Sequence, residues 1–157
     1  MNKKIVFISS TGGHLSELLQ LKPLFSEYDS YLITEKTKST IHLKNTYGKK
    51  LKFLVYGTKS LLLAYIFKFP FNIIKSFCLF LKIKPDVIVT TGTHTAVPMC
   101  FIAKFFKKKI IYIETFANSN TKTATGKIIY PIADVFIVQW ESMLELYPNA
   151  ICGGWIY

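Results

Sequence analysis

The chain has 157 residues, 50% of them hydrophobic and 15% aromatic. That excludes a disordered or collagen-like polypeptide and fits one domain, residues 1–157, with a sizeable core. Charged residues are 18%, below the roughly 25% usual for soluble domains, and 20 basic against 9 acidic side chains leave a net charge of +11. A greasy, basic chain suits an anionic partner that also accepts apolar contact, a membrane surface or lipid phosphate, ahead of nucleic acid. Every basic residue is lysine, whereas base readout leans on the arginine guanidinium.

The N-terminus, Met1 to Ile8, begins like a signal peptide, but its apolar stretch is too short and no cleavage site follows. It is read as the first strand, Lys4–Ser9, with further strands predicted at Ser30–Thr34, Leu51–Tyr56, Asp86–Thr90, Lys109–Glu114 and Asp134–Val138. Helical patterns alternate with them at His14–Leu21, Ser60–Leu81, Thr95–Phe106, Lys127–Ala133 and Glu141–Tyr147. Near-continuous apolar strands separated by helices predict an α/β fold, a Rossmann-like three-layer sandwich around a parallel sheet.

Strand one runs into Ser9-Ser10-Thr11-Gly12-Gly13-His14. Two glycines there let backbone approach a ligand, and the helix that follows aims free N–H groups at an anion. Neither G-x-G-x-x-G nor the P-loop pattern is present, so no nucleotide cofactor is expected. A tight turn is the plainer reading of the glycine pair, and a helix-start residue that of His14.

Further along, Lys59–Lys84 is far more apolar than a surface helix requires, yet its longest uncharged run falls short of the 18 or so residues of a spanning helix. Lys68, Lys75 and Lys82 recur every seven residues and form a stripe amid Leu, Ile and Phe. Such a helix lies in a membrane interface with its lysines at the phosphates, or else is an ordinary crossover helix. Pro70 is expected to kink or divide it.

After the fourth strand comes Thr91-Gly92-Thr93-His94-Thr95, a second glycine-and-hydroxyl loop opening a helix. Two such loops flank the crevice of a doubly wound sheet, where together they suit a pyrophosphate. His94 also reads as a loop residue or cap. Glu114 closes an apolar strand, where a carboxylate is costly unless it meets water, a donor or a ligand; a sugar-binding or base-supporting role and a capping role stand side by side. Cys78, Cys100 and Cys152 lack metal or disulfide spacing and read as small core residues of a reducing cytosol, so no metal is expected. The tail Cys152-Gly153-Gly154-Trp155-Ile156-Tyr157 ends in large apolar side chains, suited to an interface or to capping the domain's own core.

In this order the loops resemble the N-terminal half of a GT-B glycosyltransferase, such as the enzyme that adds N-acetylglucosamine to the lipid-linked peptidoglycan precursor. The matching positions are Gly12-Gly13-His14, Gly92 to Pro98, and Glu114. Closer still is a resemblance to the membrane-anchoring, acceptor-side subunit of split two-subunit glycosyltransferases, which serve dolichol-linked oligosaccharide synthesis and bacterial capsular or exopolysaccharide synthesis. Ser10-Thr11-Gly12-Gly13-His14-Leu15, Ile113-Glu114-Thr115-Phe116-Ala117, Thr125-Gly126-Lys127, Tyr130-Pro131-Ile132-Ala133-Asp134, Val138-Gln139-Trp140-Glu141 and the terminal Gly153 to Tyr157 carry it. The resemblance implies a heterodimer at the cytoplasmic face of the plasma membrane, and the stripe of Lys68, Lys75 and Lys82 would bind it there peripherally. A catalytic partner would bind the UDP-sugar and dock at Trp155, Ile156 and Tyr157. Gly12, Gly13, Gly92, Thr93 and His94 would take a lipid-pyrophosphate-linked acceptor, with His14 and Glu114 as catalytic groups. An autonomous nucleotide-using α/β enzyme and a non-catalytic lipid- or phosphate-binding module remain as alternatives.

Overall fold

The computed structural model describes residues 3–57 and 62–156, with side chains omitted at 62–67. Seven parallel strands form one sheet: β1 (Lys4–Ile8), β2 (Asp29–Lys36), β3 (Leu51–Val55), β4 (Val87–Thr90), β5 (Lys109–Ile113), β6 (Val135–Val138) and β7 (Ile151–Cys152). Their order is β3-β2-β1-β4-β5-β6-β7, so the strand order reverses between β1 and β4. The helices are α1 (Gly13–Gln20), α2 (Lys22–Glu27), α3 (Leu43–Tyr47), α4 (Leu62–Ile83), α5 (Val97–Phe105) and α6 (Ala124–Ile129), with 3₁₀ turns at Gly48–Lys50 and Glu141–Leu144. The predicted Rossmann-like parallel sheet is therefore present.

The strands are apolar on both faces because both are packed. On β1, Val6 and Ile8 join a layer with Phe80, Met99, Ile129 and Tyr147 beneath α4, α5 and α6. Ile5 and Phe7 point oppositely, into a layer with Leu15, Leu18 and Leu43 beneath α1 and α3. Each fully buried side chain of this size contributes about 1.5–3 kcal/mol. The second layer thins toward β5 and β6, leaving an apolar groove of about 360 Å³ between Val87, Ile111 and Ile137 on the sheet and Leu21, Leu24 and Tyr28 beside it.

Two expectations are corrected. Pro70 does not divide helix α4, which runs as one element from Leu62 to Ile83. Cys78 faces outward on α4 rather than into the core, whereas Cys100 is buried and its thiol pushed up to about 12 by desolvation. Among the described residues no helix is long and apolar enough to cross a membrane.

Candidate functional site at the strand-order reversal

Because β1 and β4 are neighbours, the loops that leave their C-terminal ends meet. His14 Nδ1 donates to the Thr91 carbonyl at 2.7 Å, and Thr91 Oγ1 donates back to the His14 carbonyl at 2.7 Å. A carbonyl only accepts, so Nδ1 carries the proton, and in the neutral ring Nε2 keeps its lone pair. His14 is half-buried. Gly92, at φ +99°, lets the β4 loop pass close to the ring: a side chain there would come within 3.6 Å of it. Gly12, at φ +81°, turns the chain into α1 without a side-chain cap. Both Gly12 and Gly13 face open space, so the first amides of α1 border an unfilled opening.

A residue that the sequence reading passed over joins the two loops from behind. Glu35, at the end of β2 and 1% exposed, accepts from Thr95 Oγ1 at 2.7 Å and from the Thr11 N–H and hydroxyl at 3.4 Å. His94 Nε2 stands 4.0 Å from the same carboxylate. The signal was available, since Glu35 closes an apolar strand just as Glu114 does, but the predicted strand stopped at Thr34.

Glu114 lies inside the protein, 1% exposed. Its carboxylate accepts from Tyr147 OH at 2.8 Å, Thr123 Oγ1 at 2.9 Å, the Thr115 N–H at 3.1 Å and, more distantly, Tyr112 OH. A carboxylate with its acceptor sites so occupied has none left for a ligand. The expectation of a catalytic Glu114 thus gives way to a positioning role, fastening the β5–α6 loop to β5 and to Tyr147. Burial first, and the neighbouring carboxylate second, push the Tyr112 and Tyr147 phenols well above the ordinary range. Glu17 braces the same loop from α1, accepting from Thr115 Oγ1 at 2.9 Å and the Phe116 N–H at 2.8 Å. Three of the nine acidic side chains are thus buried behind the strand ends.

At the C-terminus the tail is pinned yet open. The Ile156 N–H donates to Gln139 Oε1 at 3.0 Å, and Trp155 meets Phe116 edge-to-face and Trp140 at a tilt, with ring centroids 5.5 and 5.3 Å apart, while remaining 64% exposed. Tyr157 lies outside the described residues. The lysine stripe of α4 divides in space: Lys68 and Lys75 are half-buried beside β3, and Lys82 is exposed. Phe71, Ile74, Phe77 and Leu81 are exposed along α4, and Phe101 and Phe105 extend this apolar surface onto α5.

Residues 56–156 match the family described as "Oligosaccharide biosynthesis protein Alg14 like". The chain is 27% identical to the mouse (Mus musculus) UDP-N-acetylglucosamine transferase subunit ALG14, over 96% of its own length and 82% of that protein's. Its counterpart of the same name in Yarrowia lipolytica is 29% identical, covering 95% and 79% of the two chains. Among solved structures, Acinetobacter baumannii MurG superposes with a TM-score of 0.70 at 15% identity, over 89% of this chain. The UDP-N-acetylglucosamine 2-epimerase of Rickettsia bellii does so with 0.72 at 18% identity, over 99%. This chain spans less than half of either structure, 42% and 46%, and the likeness is one of GT-B-type fold. With nearly two thirds of its residues matched, the chain belongs to the Alg14-like family of oligosaccharide biosynthesis proteins.

Proposed function

We propose that this protein is the membrane-associated, acceptor-side subunit of a two-part UDP-sugar transferase that extends a lipid-diphosphate-linked saccharide. The observation that carries the reading is that the relatives matched across 96% of the chain are themselves named transferase subunits. The crevice supports it. Gly12 and Gly13, where a side chain would meet open space, turn the first backbone amides and the positive end of α1 toward a diphosphate, and the β4 loop of Gly92, Thr93 and His94, held against His14, flanks it from the neighbouring strand. His14 Nε2, left basic by the Thr91 bond, takes the proton of the acceptor hydroxyl. That oxygen then bonds to the anomeric carbon as the bond to UDP breaks, and the UDP leaves with the electron pair.

The partner that holds the UDP-sugar docks on the exposed Trp155, on Ile156 and Tyr157, and along the apolar groove of β4–β6, whose layer Ile156 joins. Lys68, Lys75 and Lys82, with the exposed phenylalanines of α4 and α5, hold the protein peripherally on the cytoplasmic face of the plasma membrane. Capsular or exopolysaccharide assembly is the process that such a subunit serves.

The test is reconstitution on native membranes with the protein that co-purifies with this chain, using a panel of labelled UDP-sugars. Label is expected in the lipid extract only when both proteins are present. Transfer by the co-purified protein alone, at the same rate, would remove this chain from the reaction.

A further inference from the structure

At the C-terminal ends of β2 and β3, on the β3 edge of the sheet, a pocket of about 300 Å³ opens between the sheet and α4. Lys36 reaches it from β2, and Lys68 and Lys75 from α4. Its floor is apolar, made by Phe53, Val55 and Tyr56 among others. No carboxylate lines it, and among the described residues none of the three ammonium groups has a carboxylate within ion-pair distance. Three like charges gathered without a counter-charge repel one another, and an anion seated among them relieves that repulsion.

The pocket is preformed. Asn72, 6% exposed, receives the Val55 N–H on Oδ1 at 2.9 Å and donates Nδ2 to the Val55 carbonyl at 2.8 Å. This double bond pattern clamps the outer side of edge strand β3 to α4, where otherwise the backbone would be unpaired. Lys75 is held in turn, its ammonium 5.9 Å above the Phe71 ring. The cavity lies at the low end of ligand-pocket volumes, roughly 300–1,000 Å³, enough for a headgroup and the first carbons of its chains.

We infer that the Lys36–Lys68–Lys75 pocket binds the phosphate headgroup of one anionic lipid, its apolar chains leaving along the exposed side of α4. The inference rests on the membrane reading given above and adds a discrete lipid site to it. Lys82, on the same helix but outside the pocket, contributes only diffuse charge.

Calorimetric titration of the full chain with dihexanoyl phosphatidic acid, kept below its micelle concentration, tests the pocket without a bilayer. Saturable binding is expected, weakened about fivefold by Lys36→Gln or by Lys68→Gln and unchanged by Lys82→Gln. Dihexanoyl phosphatidylcholine and inorganic phosphate should each bind at least about tenfold more weakly, since one lacks net charge and the other the chains. The lipid site is overturned if inorganic phosphate binds equally well, if phosphatidylcholine does, if Lys82→Gln costs as much as the pocket variants, or if nothing binds. Flotation with phosphatidic acid vesicles separates the two claims. A parent protein that titrates as expected but does not float defeats the membrane reading and spares the pocket. One that floats, with titration blind to Lys36→Gln and Lys68→Gln, defeats the pocket and spares the membrane reading.

Discussion

At His14, geometry and chemistry meet in a single proton, because the Thr91 carbonyl can only accept and so assigns the hydrogen to Nδ1. Asparagine at this position keeps a donor for Thr91 but offers no base. His14→Asn in the reconstituted complex should therefore lower turnover by roughly 10²–10⁴-fold. Urea unfolding and the acceptor KM should stay near those of the parent. A variant that loses stability and keeps turnover per folded molecule would make His14 a loop latch and nothing more. Glu114 belongs to a different class of residue, buried and bonded on every side. Its neighbour Gly126 has no room for a side chain, since a Cβ would overlap the Glu114 carboxylate and the Tyr147 hydroxyl. Neither group is free to swing away, so Gly126→Ala should destabilise the fold by about 1–3 kcal/mol in urea titration. An unchanged midpoint would mean that the cluster is looser than its hydrogen bonds imply.

Among the elements, α4 and α5 form the surface on which the proposed membrane binding turns. Sequence alone pointed to the α4 lysines; only packing brings Phe105, 81% exposed, alongside them, through the Phe77–Phe106 and Phe105–Phe106 ring contacts. Ile74→Ser and Phe105→Ser should each cut partitioning to anionic vesicles about tenfold, as loss of a buried aliphatic or aromatic side chain predicts. Sedimentation equal to that of the parent would show that this face stays in water. The same elements show where sequence reading succeeds. Six strands were legible because buried parallel strands are continuous apolar runs, each found within two residues of its predicted ends. Strand β7 escaped, being two residues long, and so did the short α2 and α3. Helix α6 was placed too late, at Lys127–Ala133 instead of Ala124–Ile129. Its start is set by Thr123, whose hydroxyl accepts from the Gly126 N–H, a cap hidden in a polar run that resembles a loop. Its end was readable, for Pro131 disfavours helix at Tyr130.

For the whole molecule, the crevice was legible as two glycine loops, because a parallel sheet that reverses its strand order must bring them together. The carboxylates behind them were not, because Glu35 and Glu17 act across gaps of 60 and 98 residues, to Thr95 and Thr115, that no local pattern reports. What results is one sheet with the crevice of the proposed acceptor site at one end, a greasy basic flank and an open apolar groove. Under the proposed function the nucleotide-sugar is held by another protein, and equilibrium dialysis of this chain alone against labelled UDP-N-acetylglucosamine tests that most directly. No saturable binding is expected up to about 1 mM, the upper end of ordinary enzyme KM values. Binding at low micromolar concentration, with sugar transferred to membranes by this chain alone, would contradict the account and make the protein an enzyme in its own right.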